Sequence, residues 1–150
     1  MTSGREYPDR PLVGVGGVVI SEGKALLIKR GGPPLEGQWS IPGGMLELGE
    51  TLRDGVRREL MEETGLEVRV GDVVEVFERI FRDEGGRIRY HFVIHDFLCE
   101  VVTGEARAAS DVTDVAWASV DELTQYGLTE IATRVLLRAF EMSRAVAGGE

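Results

Sequence analysis

The chain has 150 residues, with 26 Asp plus Glu against 17 Lys plus Arg, and a formal net charge of −9. That length fits one domain spanning residues 1–150, and a composition 43% hydrophobic and 29% charged excludes a disordered chain. The acidic balance argues against nucleic acid as a partner. A single cysteine, Cys99, excludes an internal disulfide framework, and no uncharged apolar run reaches the ~20 residues that span a bilayer, so a cytoplasmic protein without a membrane partner is expected.

Residues 1–11 are polar and hold Pro8 and Pro11, which predicts an extended or loose arm with no apolar run of a secretory signal behind it. Leu12 to Ile20 and Ala25 to Ile28 read as strands joined by the hairpin-sized Ser21-Glu22-Gly23-Lys24. Gly31-Gly32-Pro33-Pro34 is a loop, and Trp39 to Ile41 is a short strand cut off by Pro42-Gly43-Gly44. Thr51 to Thr64 takes a helical pattern, with Thr51 as N-cap and Gly65 as its stop. Val68 to Arg82 and Ile88 to Val102 predict a long hairpin turning at Asp83-Glu84-Gly85-Gly86, and Val112 to Val120 another strand. Ile131, Val135, Ala139, Met142 and Val146 recur at helical spacing, predicting an amphipathic helix over residues 129–147. Strands around one central helix and closed by another predict an α/β (α+β) class, with a mixed sheet between helices.

The central helix carries the chemistry. Glu59, Glu62 and Glu63 stand at i, i+3 and i+4 and share one face. At about 100° per residue that face adjoins the apolar stripe of Leu52, Val56 and Leu60, while Asp54, Arg57 and Arg58 fall on the other side. An acidic, solvated helix face is the plain reading of three glutamates. Carboxylates crowded beside a core, however, cost repulsion and desolvation unless a cation compensates, and oxygen-only donors suit Mg²⁺, Mn²⁺ or Ca²⁺.

The surrounding residues decide between the two. Gly44, Glu50, Arg58, Glu59, Leu60, Glu62, Glu63, Gly65 and Leu66 complete the pattern Gly-x5-Glu-x7-Arg-Glu-U-x-Glu-Glu-x-Gly-U, with U aliphatic. This resembles the signature of the Nudix hydrolases, with every fixed position filled. Seven fixed residues, each at a usage of about 7% or less, match by chance at one start point less often than roughly once in a hundred million. The resemblance covers residues 44–66, extends back through Gly37-x-Trp39-x-x-Pro42-Gly43, and implies an α/β/α sandwich.

It also implies a reaction class, hydrolysis of the pyrophosphate link in a nucleoside diphosphate joined to another moiety. Glu59, Glu62 and Glu63 would hold Mg²⁺ or Mn²⁺, with the Gly43 carbonyl a further ligand. Gly44, Glu50, Arg58 and Gly65 would frame the site, Glu50 pairing with Arg58. Members of the family differ in their general base, so Glu59 and Glu62 stay open for that role beside loop acids. Asp111 best matches the loop position, ahead of Asp114, Glu100 and Glu105. Arg30, at a strand end, is a candidate for a substrate phosphate, and Phe81 and Tyr90 for stacking on a base or ribose, with core packing the plainer role for both rings.

Three other features carry no site. Gly14-Val-Gly16-Gly17 lacks the third glycine and following helix of a dinucleotide fingerprint. His91 and His95 lie about 13 Å apart along one strand, too far to share an ion. Cys99 in Phe97-Leu98-Cys99 reads as a small core residue.

Substrate marks outside the box are absent. Phe81 and Arg82 stand where the ADP-ribose subgroup often carries proline, and Asp83 and Glu84 where many dinucleoside polyphosphate enzymes carry tyrosine. The stretch from Arg89 to Glu100, with Gly104-Glu105 and Asp111-x-x-Asp114-x-x-Trp117, is similar to small bacterial ADP-ribose pyrophosphatases. The expected activity is therefore cleavage of ADP-ribose or a related nucleotide sugar to two monophosphates. Removal of pyrophosphate from 8-oxo-dGTP or another triphosphate is the alternative, and a catalytically silent binding module the third. A homodimer is open.

Overall fold

The computed structural model describes residues 4–148, with side chains to residue 146. Its elements are β1 (Leu12–Ser21), β2 (Lys24–Arg30), β3 (Trp39–Ser40), β4 (Gly43–Met45), α1 (Leu52–Thr64), β5 (Glu67–Arg82), β6 (Ile88–Thr103), β7 (Val112–Ala118), a 3₁₀ segment (Val120–Tyr126) and α2 (Glu130–Gly148). The sheet runs β3-β2-β1-β6-β5, with β4 paired to β1 and β7 to β2. β1 and β6 are parallel from Leu12↔Phe92 to Val19↔Cys99, and the other pairings are antiparallel, so the sheet is mixed as expected.

Strand alternation divides the core between the two helices. Val15 and Val19 of β1 and Leu26 of β2 bury with Val56 and Leu60 of α1, together with Leu66, Val68, Phe97 and Cys99. Val18, Ala25 and Leu27 turn the other way, onto Val135, Leu136, Ala139 and Phe140 of α2. The period of two thus sends successive side chains of one strand to opposite helices, which makes the α/β/α sandwich. Cys99 is a core residue whose thiol burial pushes up to about 12. No helix is long and apolar enough to cross a membrane among the described residues.

The helix α1 has the ends that its sequence prescribes. The Thr51 hydroxyl accepts the Asp54 N–H at 3.1 Å, and Gly65, at φ 74°, donates its N–H to Met61 O. Three segments differ from the sequence expectation. Pro42 does end β3, but Gly43 to Met45 resume as β4, because Gly16↔Gly43 to Gly14↔Met45 pairing accepts a backbone with no Cβ in the way. β7 stops at Ala118, where Ser119 and Glu122 form a capping box that starts the 3₁₀ turn. The arm, expected to be extended or loose, is docked at Glu6 and Tyr7; residues 1–3 of it lie outside the described residues.

Candidate metal and nucleotide site

One stripe of α1 buries acid together with hydrocarbon. Glu59 and Glu63 are 9% and 5% exposed, in line with Val56 and Leu60, while the Glu62 side chain is 51% exposed at the stripe's edge. The strand β4 makes room for this. A Cβ on Gly44 would stand 2.4 Å from Glu59 Cδ, so the Glu59 carboxylate occupies the space a side chain would fill. Glu63 Oε1 accepts the Gly43 N–H at 2.9 Å. Burial pushes the Glu63 carboxyl up to about 8, against the Gly43 N–H and with the charges of Glu59 and Asp111 adding to it. Burial also raises Glu59, with Arg58 opposing.

Arg58 organises the carboxylates. Its Nε and Nη2 donate to both oxygens of Glu50, at 2.6 and 2.9 Å, and Nη2 also donates to Met45 O. Its Nη1 donates to Glu59 at 2.8 Å and Glu62 at 3.1 Å. Glu50 additionally accepts the Glu47 N–H, which fixes the loop ahead of the helix. The bidentate pair leaves Arg58 more basic than usual and holds Glu50 down at about 2. A carboxyl whose folded value lies below its ordinary 4.5 adds stability above about pH 4.5 and loses it as the pH falls through about 2. Glu50→Gln is therefore expected to melt below the wild type at pH 7 and to converge with it near pH 2. Melting curves across that range check it, and a constant gap down to pH 2 would remove Glu50 as the source.

Among the described residues no three acidic, His or Cys side chains come together as a ready ion cage. Glu59 and Glu62 turn toward the shared Arg58 Nη1, and Glu63 toward Gly43. The donor set nevertheless fits a hard divalent cation: oxygen ligands only, two of them buried carboxyls whose ionised form burial disfavours and a cation would favour. Rotation of the Glu59 and Glu62 carboxylates off Arg58 is what binding would require.

Beyond β4 opens a cleft of about 130 Å³. Gly43 and Gly44 line it on the glutamate side, Phe77, Phe81 and Phe92 give it an aromatic wall, and Arg5, Arg30 and Arg79 give it cationic groups. Arg30 and Phe81, the candidates for a phosphate and for stacking, both line this cleft. Tyr90 does not line the cleft: it is 6% exposed and packed against Phe81 and Phe92, at centroid distances of 6.0 and 5.8 Å, so it supports the wall from behind. Asp111 is exposed on the loop before β7, its carbonyl accepting the Gly31 N–H, and near enough for its charge to raise Glu63. Asp114 turns its carboxylate onto the Val115 N–H.

Three cleft residues escaped the sequence reading. Asp96, 3% exposed and raised to about 7 by burial and then by Glu75, follows Tyr90, Phe92 and Ile94 in phase on β6. An acid at a core-facing parity was a legible signal. Arg79 stands likewise in phase with Phe77 and Phe81. Arg5 gave no local signal, since its place depends on how the arm docks.

Comparison with known proteins agrees with this fold. The family model described as NUDIX domain matches residues 10–140. A protein of Methanocaldococcus jannaschii named ADP-ribose pyrophosphatase is 35% identical over 113 residues, 75% of this chain and 64% of that protein, so the match leaves over a third of its length uncovered. A MutT-like protein of Streptomyces ambofaciens is 36% identical over 139 residues, 91% of this chain and 83% of its own. The crystal structure of a MutT NUDIX hydrolase from Burkholderia pseudomallei superimposes with a TM-score of 0.75 at 29% identity, covering 87% of this chain and 98% of that one.

Proposed function

Since the chain belongs to the Nudix hydrolase family, we propose that it cleaves the diphosphate of ADP-ribose or a related nucleotide sugar to two monophosphates, using Mg²⁺ or Mn²⁺. The observation that carries this reading is the continuity of the site. An aromatic and cationic cleft, sized for part of a nucleotide, runs to the β4 glycines on which the buried Glu59 and Glu63 rest. The name of the archaeal relative supports the same substrate class.

Glu59, Glu62, Glu63 and the Gly43 carbonyl are the groups to hold the ion. When bound, a divalent cation neutralises diphosphate charge and acidifies the attacking water. The chain's own residues do the rest. Glu50 fixes Arg58, and Arg58 keeps the carboxylates oriented until they are engaged. Arg30 faces a phosphate from the cleft, while Phe81 offers an apolar surface to the base or ribose. Water's oxygen bonds to phosphorus as the bridging anhydride bond breaks. Asp111 takes the water's proton in this reading, because its loop position leaves it hydrated and close to Glu63 in charge terms; Glu59 and Glu62 are the other acids placed for it.

A second reading, release of pyrophosphate from an oxidised or ordinary nucleoside triphosphate, draws on the MutT-like relative, whose match covers more of this chain. Products separate the two. Incubation with Mg²⁺ and ADP-ribose, nucleotide sugars and triphosphates including 8-oxo-dGTP is expected to release AMP and ribose 5-phosphate from ADP-ribose, with EDTA silencing it and Asp111→Asn slowing it. Pyrophosphate from a triphosphate would overturn the substrate. Silence across the panel despite ion and nucleotide binding would mark a binding module.

A further inference from the structure

The cleft holds more positive charge than the protein around it explains. In a chain with net charge −9, several arginines outside the cleft find carboxylates, among them Arg10 with Asp9, Arg57 with Asp54, Arg89 with Glu6 and Arg134 with Glu75, while others such as Arg53 and Arg82 lie exposed and donate to the Gly71 and Gly86 carbonyls. Arg5, Arg30 and Arg79 line one cleft, and among the described residues none of the three forms an ion pair. Arg30 is spent only on the Pro34 carbonyl, through Nε at 2.9 Å, and Arg79 lies over the Phe81 ring at 5.0 Å. Burial and the neighbouring Arg30 both disfavour the charge on Arg79, and the charge of Arg5 reaches Glu59. Guanidinium groups gathered close together without a direct carboxylate partner cost free energy that a multiply charged anionic ligand offsets.

Arg5 is there because the two residues after it are pinned. Glu6 takes Arg89 at 2.7–2.8 Å. Tyr7 donates its N–H to Arg89 O and its hydroxyl to Asp83, both at 2.8 Å, and the Arg87 guanidinium covers its ring at 4.5 Å. Asp83 and Arg87 belong to the β5–β6 turn and Arg89 to the start of β6, on the sheet whose strands supply Arg79 and the aromatic wall.

We propose that the N-terminal segment is part of the substrate site: docked on the β5–β6 turn by Glu6 and Tyr7, it presents the Arg5 guanidinium to the cleft, where Arg5, Arg30 and Arg79 together hold the phosphates of a nucleoside diphosphate. The proposal rests on the cleft being the nucleotide site. It gives the diphosphate a cationic wall opposite the glutamates, each guanidinium able to bind phosphate oxygens in pairs. Tyr7 is a positioning residue, acting through Arg5.

The test is calorimetric binding of α,β-methylene-ADP, whose bridging carbon resists hydrolysis, in the presence of Mg²⁺. Arg5→Ala and Arg79→Ala are each expected to raise Kd about tenfold or more. Arg5→Lys should recover part of the loss, and Arg10→Ala, on the same segment but outside the cleft, should bind as the wild type does. Tyr7→Phe, which deletes only the bond to Asp83, should weaken binding about threefold. Combined with Arg5→Ala it should add nothing, because its effect passes through Arg5. A wild type that binds the probe while Arg5→Ala, with normal melting, stays within twofold of it overturns the role of the segment alone. A wild type that fails to bind overturns the nucleotide reading of the cleft, and the proposal with it. Additive losses in the double variant would remove Tyr7 from the device.

Discussion

Glu63→Gln is expected to make the ion-free protein more stable and to disable the enzyme. The carboxyl is 5% exposed, and burial raises it from an ordinary 4.5 to about 8. A group whose folded value lies above its unfolded one contributes its stability in full below about pH 4.5 and loses it as the pH climbs through about 8. In EDTA the wild type should therefore melt progressively lower from pH 5 to pH 8.5. The glutamine is neutral throughout, and its amide oxygen can still accept the Gly43 N–H, so the variant should lack that decline. The difference at pH 8.5 is expected to reach about 2 kcal/mol, or roughly 5 °C in melting temperature. Added Mg²⁺ should reverse the order, since an ion that binds only the folded state raises its stability by mass action and the variant has lost a ligand. Turnover should fall about a hundredfold or more. Equal melting in EDTA at pH 8.5 would mean that Glu63 is already relieved of its charge by hydration. Undiminished turnover would remove Glu63 from the ion site.

The same residue shows where the sequence was informative. Helical period alone puts Glu59 and Glu63 on the stripe of Val56 and Leu60, and the structure buries all four. The ends of α1 were equally local, a Thr51 hydroxyl three residues before its partner and a glycine where the backbone turns left-handed. β4 was harder because Pro42-Gly43-Gly44 has the chemistry of a turn. Its extension is imposed from outside, by β1 on one side and α1 on the other. The 3₁₀ turn hid differently: Val120 follows the strand-like stretch from Val112 to Ala118 as one more apolar residue, which outweighed the capping pair Ser119 and Glu122 one helical turn apart. Asp96 and Arg79 were readable from strand parity, whereas the position of Arg5 depends on Tyr7 meeting a turn 76 residues away in sequence. The turning of Glu59 and Glu62 onto one Arg58 nitrogen is likewise a matter of three rotamers, which spacing does not specify.

Adjacent glycines should separate fold from chemistry. A Cβ on Gly43 would lie 2.2 Å from Val15 O and 2.7 Å from Gly16 Cα, backbone against backbone, so Gly43→Ala forces β4 away from β1. Destabilisation of about 3 kcal/mol or more is expected, roughly 10 °C in melting temperature, with turnover lost besides because the Gly43 carbonyl and its bond to Glu63 move with the strand. The three atoms nearest a Cβ on Gly44 all belong to the Glu59 carboxylate, at 2.4–2.5 Å, and that is the movable end of a side chain. Gly44→Ala should displace the carboxylate toward water, relieving some of its buried charge, and leave the melting temperature within about 3 °C of the wild type. Its expected loss is in the site, with divalent-ion affinity and turnover lower by about 10- to 100-fold. Melting curves paired with Mg²⁺ titrations distinguish the two variants. A Gly43→Ala protein that melts normally would mean that the β1–β4 spacing gives way. A Gly44→Ala protein with full affinity would mean that Glu59 holds the ion from somewhere other than the space above Gly44, and the buried position seen here would then be its resting place only.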